Sequence, residues 1–203
     1  MYPSDQGALV LATGNTHKTK ELSALLRSVP LTTLDLTRMQ NVPHIEETGD
    51  TLRDNAALKA RTIRDFTGLA TLADDTGLEV TTLGGAPGIR SARYAGPRAD
   101  ARANRAKLLQ ALEGQSTREA RFVTVLALAL GSDMYFFEGQ CAGHIAFHEM
   151  TPGGFGYESI FVPKGFDVSF AQLSTEQKNA ISHRGHAGQK LVAFLRQCGV
   201  PAS

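Results

Sequence analysis

The stretch Phe122 to Leu130, FVTVLALAL, constrains this chain most, because it is apolar at every position except Thr124. Such a run buries both of its faces, most simply as a central strand covered on each side, although a short buried helix shares the pattern. The turn Gly131-Ser132-Asp133 ends it, and Met134 to Phe137 and Cys141 to Phe147 read as further strands of a sequential antiparallel meander. A central strand needs covering layers, and 42% hydrophobic residues in a chain of 203 can fill one domain, or two lobes sharing a core. Residues 1–203 are therefore read as one domain.

Charge and cysteine usage exclude several classes. Lys and Arg number 21 against 20 for Asp and Glu, so a net charge of +1 gives no electrostatic footprint for a nucleic-acid or membrane partner. Cys141 and Cys198 form no CxxC and suit free thiols in a reducing compartment. No basic leader precedes the first apolar run, and no stretch reaches the length of a membrane span. The expectation is a soluble cytoplasmic protein.

Along the chain, Ala8 to Ala12 reads as a buried strand running into Thr13-Gly14-Asn15. Leu22, Leu25, Leu26 and Val29 then recur at helical spacing until Pro30. Asn15 or Thr16 can cap this helix, and the amides of its first turn, with Lys18 beside them, can receive a phosphate. TGNTHK is not a GxxxxGK[ST] loop, so a P-loop NTPase is not indicated. Glu46 and Glu47 lie in the loop before a helix striped by Leu52, Ala56, Ala60 and Ile63. Asn55 and Lys59, four apart on it, project from one side about 6 Å apart at their β-carbons and could reach one ligand together.

Leu69 to Val80, LATLADDTGLEV, then ends an apolar strand on two adjacent carboxylates, Asp74 and Asp75. Thr76-Gly77 is read as a turn before Leu78, Val80 and Leu83 resume alternation. Adjacent carboxylates repel, so the pair needs cations nearby or a solvated face. Gly84 to Gly88 reads as a flap leading to Arg90 and Arg93. Asp100 caps a helix to Leu112, closed by Gly114, with Leu108, Leu109 and Leu112 inward and Arg98, Arg102, Arg105 and Lys107 mostly outward. Cys141, His144 and His148 superficially offer metal-ligand spacing. On a strand His144 and His148 lie about 13 Å apart, whereas zinc needs its ligands within about 2.3 Å of one point.

Gly153 to Glu158 sets Phe155 between glycines, where it can pack in the core or offer its face to a nucleobase, a contact worth about 1–3 kcal/mol. Ser174 and Gln177 form a capping box for a short helix carrying Lys178. Ser182-His183-Arg184-Gly185 precedes a last helix whose stripe is Ala187, Leu191, Phe194, Leu195 and Cys198, ended by Gly199 and Pro201.

In this order and spacing, TGNTHK, EETGDTLRDNAALKA, LADDTGL, GGAPGIRSARYAG, GGFGYES and QKNAISHRG resemble the family of pyrophosphatases for non-standard purine nucleoside triphosphates, the inosine triphosphatase family. The resemblance covers Leu11 to about Leu195. It implies an elongated two-lobed α/β fold around a long mixed β-sheet, with flanking helices, an active-site cleft between the lobes, and a homodimer. It also implies Mg²⁺-dependent hydrolysis of ITP, dITP or XTP to the monophosphate and pyrophosphate, which cleanses the nucleotide pool.

Carried over residue by residue, Thr13, Gly14, Asn15, Thr16, His17 and Lys18 would hold the triphosphate, and Lys59 and Lys178 would neutralise it. Phe155, Gly156, Tyr157 and Glu158, with His183 and Arg184, would surround the base. Asp75 would be the general base and, with Glu46, a metal ligand, and Thr76 would touch the substrate. The residue types agree with that chemistry, since hard carboxylate oxygens suit Mg²⁺ and lysines stabilise phosphate charge. Two departures stand out: Thr76 where the family usually has Ser, and Glu158-Ser159 where it has Asp-Pro. The competing readings are a related pyrophosphatase acting on other nucleotides, modified pyrimidines included, and a protein that only binds nucleotides. Carboxylates beside a triphosphate weaken binding unless a metal bridges them, which disfavours the pure binder.

Overall fold

The computed structural model describes residues 8–198, so Gly199 and Pro201, the expected stop of the last helix, lie outside the described residues. The strands are β1 (Ala8–Leu11), β2 (Thr32–Asp35), β3 (Ala70–Val80), β4 (Pro87–Gly88), β5 (Glu119–Leu130), β6 (Asp133–Ile145) and β7 (Phe161–Pro163). The helices are α1 (Thr16–Leu25), α2 (Leu52–Thr67), α3 (Ala101–Ala111), α4 (Thr175–Ile181) and α5 (His183–Gln197). The strand order is β2-β1-β3-β5-β6-β7, with β4 pairing with β3. β1 runs parallel to β2 and β3, whereas β3–β4 and β6–β7 are antiparallel. The sheet is therefore mixed, and the apolar run of β5 occupies an interior position in it, as its composition requires.

The chain divides into two compact units. The first comprises Met1–Asp75, Thr124–Gly139 and Arg184–Ser203, and the second Thr76–Val123 and Gln140–His183. In the first, Leu9, Leu11, Leu72, Leu126 and Leu128 from the strands pack with Leu22 of α1 and Ala187, Leu191 and Leu195 of α5. A β-carbon on Gly188 would stand 2.7 Å from Leu25 Cδ1, so the close approach of α5 to α1 depends on that glycine. In the second unit, Leu78, Leu108, Leu112, Phe122, Phe161 and Phe170 form the core, with the Phe122 and Phe161 ring centroids 4.7 Å apart.

Several local readings are corrected. Thr76-Gly77 does not turn the chain: β3 runs unbroken from Ala70 to Val80, because pairing partners hold the backbone extended where its propensity favours a turn. Gly84 to Gly88 is not a free flap, since Gly88 and Pro87 pair with Leu78 and Glu79. The two strands expected after Asp133 are one, β6. Arg105 is 8% exposed and does not face solvent. The caps behave as their residue types predict, with Asn15, Asp100 and Ser174 accepting first-turn amides of α1, α3 and α4.

Candidate active site

The first unit gathers two charge clusters around the middle of β3, where Asp74 and Asp75 stand. Successive strand residues point to opposite faces, so Asp74 and Asp75 separate. Asp75 meets α2, with its Oδ1 2.7 Å from Lys59 Nζ, and the same ammonium lies 3.0 Å from Glu47 Oε1. Asp74 faces α1 and α5, with Oδ2 3.0 Å from Lys18 Nζ and 3.0 Å from Arg184 Nη2. Arg184 Nη1 donates onward to Glu21. The repulsion expected of adjacent carboxylates is thus met by a cation on each side.

Burial sets the proton affinities. Burial pushes the Asp75 pKa up, and Lys59 offsets this only in part, which leaves a carboxylate more basic than a surface one. Burial alone would lower the Lys59 pKa, but Asp75, Asp74 and Glu47 outweigh it and keep the ammonium charged. For Asp74 burial would raise the pKa, but Lys18, Arg184 and Lys59 outweigh it and hold the carboxyl well below the usual carboxylate range. Burial lowers the Lys18 pKa, with Asp74 opposing.

The Thr13 to Lys18 loop is ordered by its own side chains. Thr13 Oγ1 accepts from the Asn15 amide at 3.2 Å, and Asn15 Oδ1 accepts from the amides of His17 and Lys18 at 3.0 and 3.4 Å. Gly14, Thr16 and His17 are exposed, whereas Thr13 is buried. Asn55 is turned inward rather than outward beside Lys59. It is 2% exposed, and its Oδ1 accepts from the Gly49 amide at 2.8 Å, tying the loop that carries Glu46 and Glu47 onto α2. Glu46 is exposed, so the acid that this loop turns toward Asp75 is Glu47.

This donor set fits a divalent cation. Two hard carboxylates already share one ammonium, and among the described residues no group of three His, Cys, Asp or Glu is gathered to hold a metal alone. The hard oxygens of Asp75 and Glu47 suit a cation held by one or two carboxylates and completed by substrate phosphates and water.

In the second unit the Gly153 to Glu158 loop turns through left-handed φ at Gly153, Gly154 and Gly156 (92°, 84° and 59°). Glu158 closes it: Oε2 accepts from the Phe155 amide at 3.2 Å, and Oε1 accepts from Lys178 Nζ at 2.7 Å. Phe155 is half-buried. Tyr157 is 5% exposed, and its hydroxyl donates to Ser91 O at 2.8 Å; the tyrosine anchors the loop and does not present its hydroxyl to a ligand. His183 stacks on Phe122 with centroids 4.7 Å apart. Thr76 is half-buried on β3.

Sequence reasoning missed two members. Glu21 stands three residues after Lys18 on α1, a spacing that places both on one helix face, and that signal was available. Arg105 donates to Gly156 O at 2.9 Å and pairs with Glu149 at 2.9 Å, bracing the aromatic loop. Nothing in its local sequence separates it from Arg98, Arg102 and Lys107.

The chain is similar to known proteins over nearly its whole length. The model of the Ham1 family matches residues 9–194. A protein of Christiangramia forsetii named dITP/XTP pyrophosphatase is 45% identical over 188 residues, 92% of this chain and 98% of that protein. Its namesake in Desulforamulus reducens is 44% identical, over 93% and 96% of the two chains. The solved HAM1 protein of Coxiella burnetii superposes with a TM-score of 0.85 at 39% identity, over 94% of this chain and 98% of that one. The Staphylococcus aureus Ham1 protein gives 0.84 at 37% identity, over 94% and 98%. With nearly the whole length matched in sequence and in structure, this chain belongs to the Ham1 family.

Proposed function

We propose that this protein hydrolyses non-standard purine nucleoside triphosphates, dITP, ITP and XTP, to the monophosphate and pyrophosphate. The observation that carries this reading is Asp75, a carboxylate made more basic by burial and held against Lys59 and Glu47. The relatives named dITP/XTP pyrophosphatase supply the substrate class. Asp75 takes the proton of the attacking water as the anhydride between the first and second phosphates breaks, and pyrophosphate leaves. Lys18, Lys59 and the Thr13 to Lys18 loop hold the phosphates, and Thr76 touches the substrate. Mg²⁺, bound by Asp75 with Glu47 or Glu46, would stabilise charge on phosphate oxygens.

Phe155 to Glu158 and His183 surround the base. Lys178 belongs with them and not with the phosphates, because it is bonded to Glu158. A keto group at the sixth purine position accepts from Lys178 or His183, whereas the adenine amino group would meet another donor and leave buried groups unpaired at about 1–3 kcal/mol each. Residues 1–203 act as one domain, in a cytoplasmic homodimer that light scattering would detect. Incubation with ITP, XTP, GTP and ATP in the presence of Mg²⁺, with both products identified, tests the function. Pyrophosphate release from ITP and XTP far above ATP is expected. Equal use of ATP refutes the base pocket, and orthophosphate as the product refutes the pyrophosphatase reading.

A further inference from the structure

The Gly153 to Glu158 loop of the second unit has little conformational preference of its own. Gly153, Gly154 and Gly156 leave its backbone permissive, so contacts from outside the loop must fix where Phe155 and Glu158 stand. Two adjacent residues of α3 supply them. Arg105 Nη1 donates to Gly156 O at 2.9 Å, while its Nε and Nη2 stand 2.9 and 3.4 Å from the two carboxylate oxygens of Glu149. Asn104 works through the neighbouring segment: its Oδ1 accepts from the Ala95 amide at 2.6 Å and its Nδ2 donates to Ala92 O at 2.8 Å. Ser91 O, in that same segment, accepts from the Tyr157 hydroxyl at 2.8 Å. The Met150 amide, next to Glu149, donates to Ser159 O at 2.9 Å and ties in the far end of the loop. A buried guanidinium is tolerated only where its charge and donors are satisfied, and here one of those donors ends on the loop.

We infer that Arg105, aimed by Glu149, is a positioning residue for the base: by pinning the Gly156 carbonyl it fixes Phe155 and Glu158, so that affinity for the base, and not for the phosphates, depends on it. This rests on the reading that the Gly153 to Glu158 loop surrounds the base. Gly156 stands at a left-handed φ of 59°, one of several conformations open to a glycine, and the bond from Arg105 selects it. With Gly156 held by its carbonyl and Tyr157 by its hydroxyl, the loop is fixed at its middle, and Phe155 and Glu158 flank the fixed pair. The planar fork of an arginine suits the task, because it can grip a carboxylate through two nitrogens and still present a third to a carbonyl, which an ammonium cannot do in a fixed plane. No member of this brace belongs to the Thr13 to Lys18 loop or is Lys59, so phosphate binding is left alone.

The test compares ligands with and without a base. Inosine monophosphate, ribose 5-phosphate and inorganic tripolyphosphate are titrated calorimetrically into wild type, Arg105→Met, Arg105→Lys, Glu149→Ala and the double variant of Arg105→Met with Glu149→Ala, and kcat and KM are measured for ITP and ATP. Loss of a charge-assisted bond predicts about tenfold weaker inosine monophosphate binding in Arg105→Met. Loss of the partly exposed ion pair predicts about threefold in Glu149→Ala. The double variant should lose no more than Arg105→Met, because the two residues act as one device, and Arg105→Lys should recover only part of the affinity. Tripolyphosphate and ribose 5-phosphate should bind as in the wild type, and KM for ITP should rise by the factor seen for inosine monophosphate with kcat unchanged, a split that general loosening of the fold would not produce. The Glu149 side chain is 35% exposed, so Glu149→Ala reports even if Arg105→Met does not fold. Unchanged inosine monophosphate binding in Glu149→Ala overturns the inference, as does equal weakening of tripolyphosphate and inosine monophosphate. A wild type that takes inosine monophosphate no better than ribose 5-phosphate overturns it together with the base reading. A wild type that prefers inosine monophosphate but releases no pyrophosphate from ITP would refute the proposed function and leave this inference standing.

Discussion

Replacing Asp75 with Asn removes the charge of the proposed base while leaving an oxygen where Lys59 Nζ stands, 2.7 Å from Oδ1. The fold should survive the change. Lys59 retains Glu47 at 3.0 Å, and the amide still accepts, so the stability cost is that of a charged acceptor traded for a neutral one, about 1–2 kcal/mol. For a chain of this length that lowers Tm by about 2–8 °C. Turnover carries the larger effect, because loss of a positioned base costs about a hundredfold or more. The assay is pyrophosphate release from saturating ITP, with unfolding followed by circular dichroism on the same preparation. A lowered Tm with wild-type turnover would refute the assignment and reduce Asp75 to an anchor for Lys59. Asp74→Asn, changed on the other side of the strand, should raise KM and spare kcat.

Three further outcomes follow from other contacts. Arg118, 6% exposed, donates to the carbonyls of Ile145, Leu112 and Ala146 at 2.8, 2.7 and 3.0 Å. Arg118→Met removes all three bonds, leaving Leu112 O only the Gln115 amide at 3.1 Å, and should cost about 3–5 kcal/mol, read as a lower midpoint in urea. Burial pushes the Cys141 thiol up to about 11, above the unfolded value of about 8.5. Its contribution is therefore complete below pH of about 8.5 and falls by up to about 1.4 kcal/mol per pH unit on the way to the folded pKa, a decline that Cys141→Ala should abolish. Glu158→Gln keeps the side-chain length but loses the charge facing Lys178; kcat/KM for GTP relative to ITP should rise about tenfold, and an unchanged ratio would remove Glu158 from base selection.

Short-range periodicity and local hydrogen bonding account for the part of this fold that is legible along the chain. The burial of β5, the strand-turn-helix at Ala8 to Val29, and the caps at Asn15, Asp100 and Ser174 all involve residues within a few positions of one another. Their energetics are complete within a turn or a strand. The order of the motifs likewise singles out Asp75, Lys59 and Lys18 as candidates. The tertiary structure decided which acids and cations meet. Arg184 and Asp74 are 110 positions apart, and nothing near either residue encodes the other. Glu47 and not Glu46 reaches Lys59 because Asn55 fixes the Gly49 amide. Strand β3, flanked in the sheet by β1 and β5, stays extended through Thr76-Gly77 against its turn propensity. Arg105 and Arg118 are buried because carbonyls 51 and 27 positions away receive their protons. A charged side chain enters a core only where distant partners satisfy it, and chain folding alone brings those partners together.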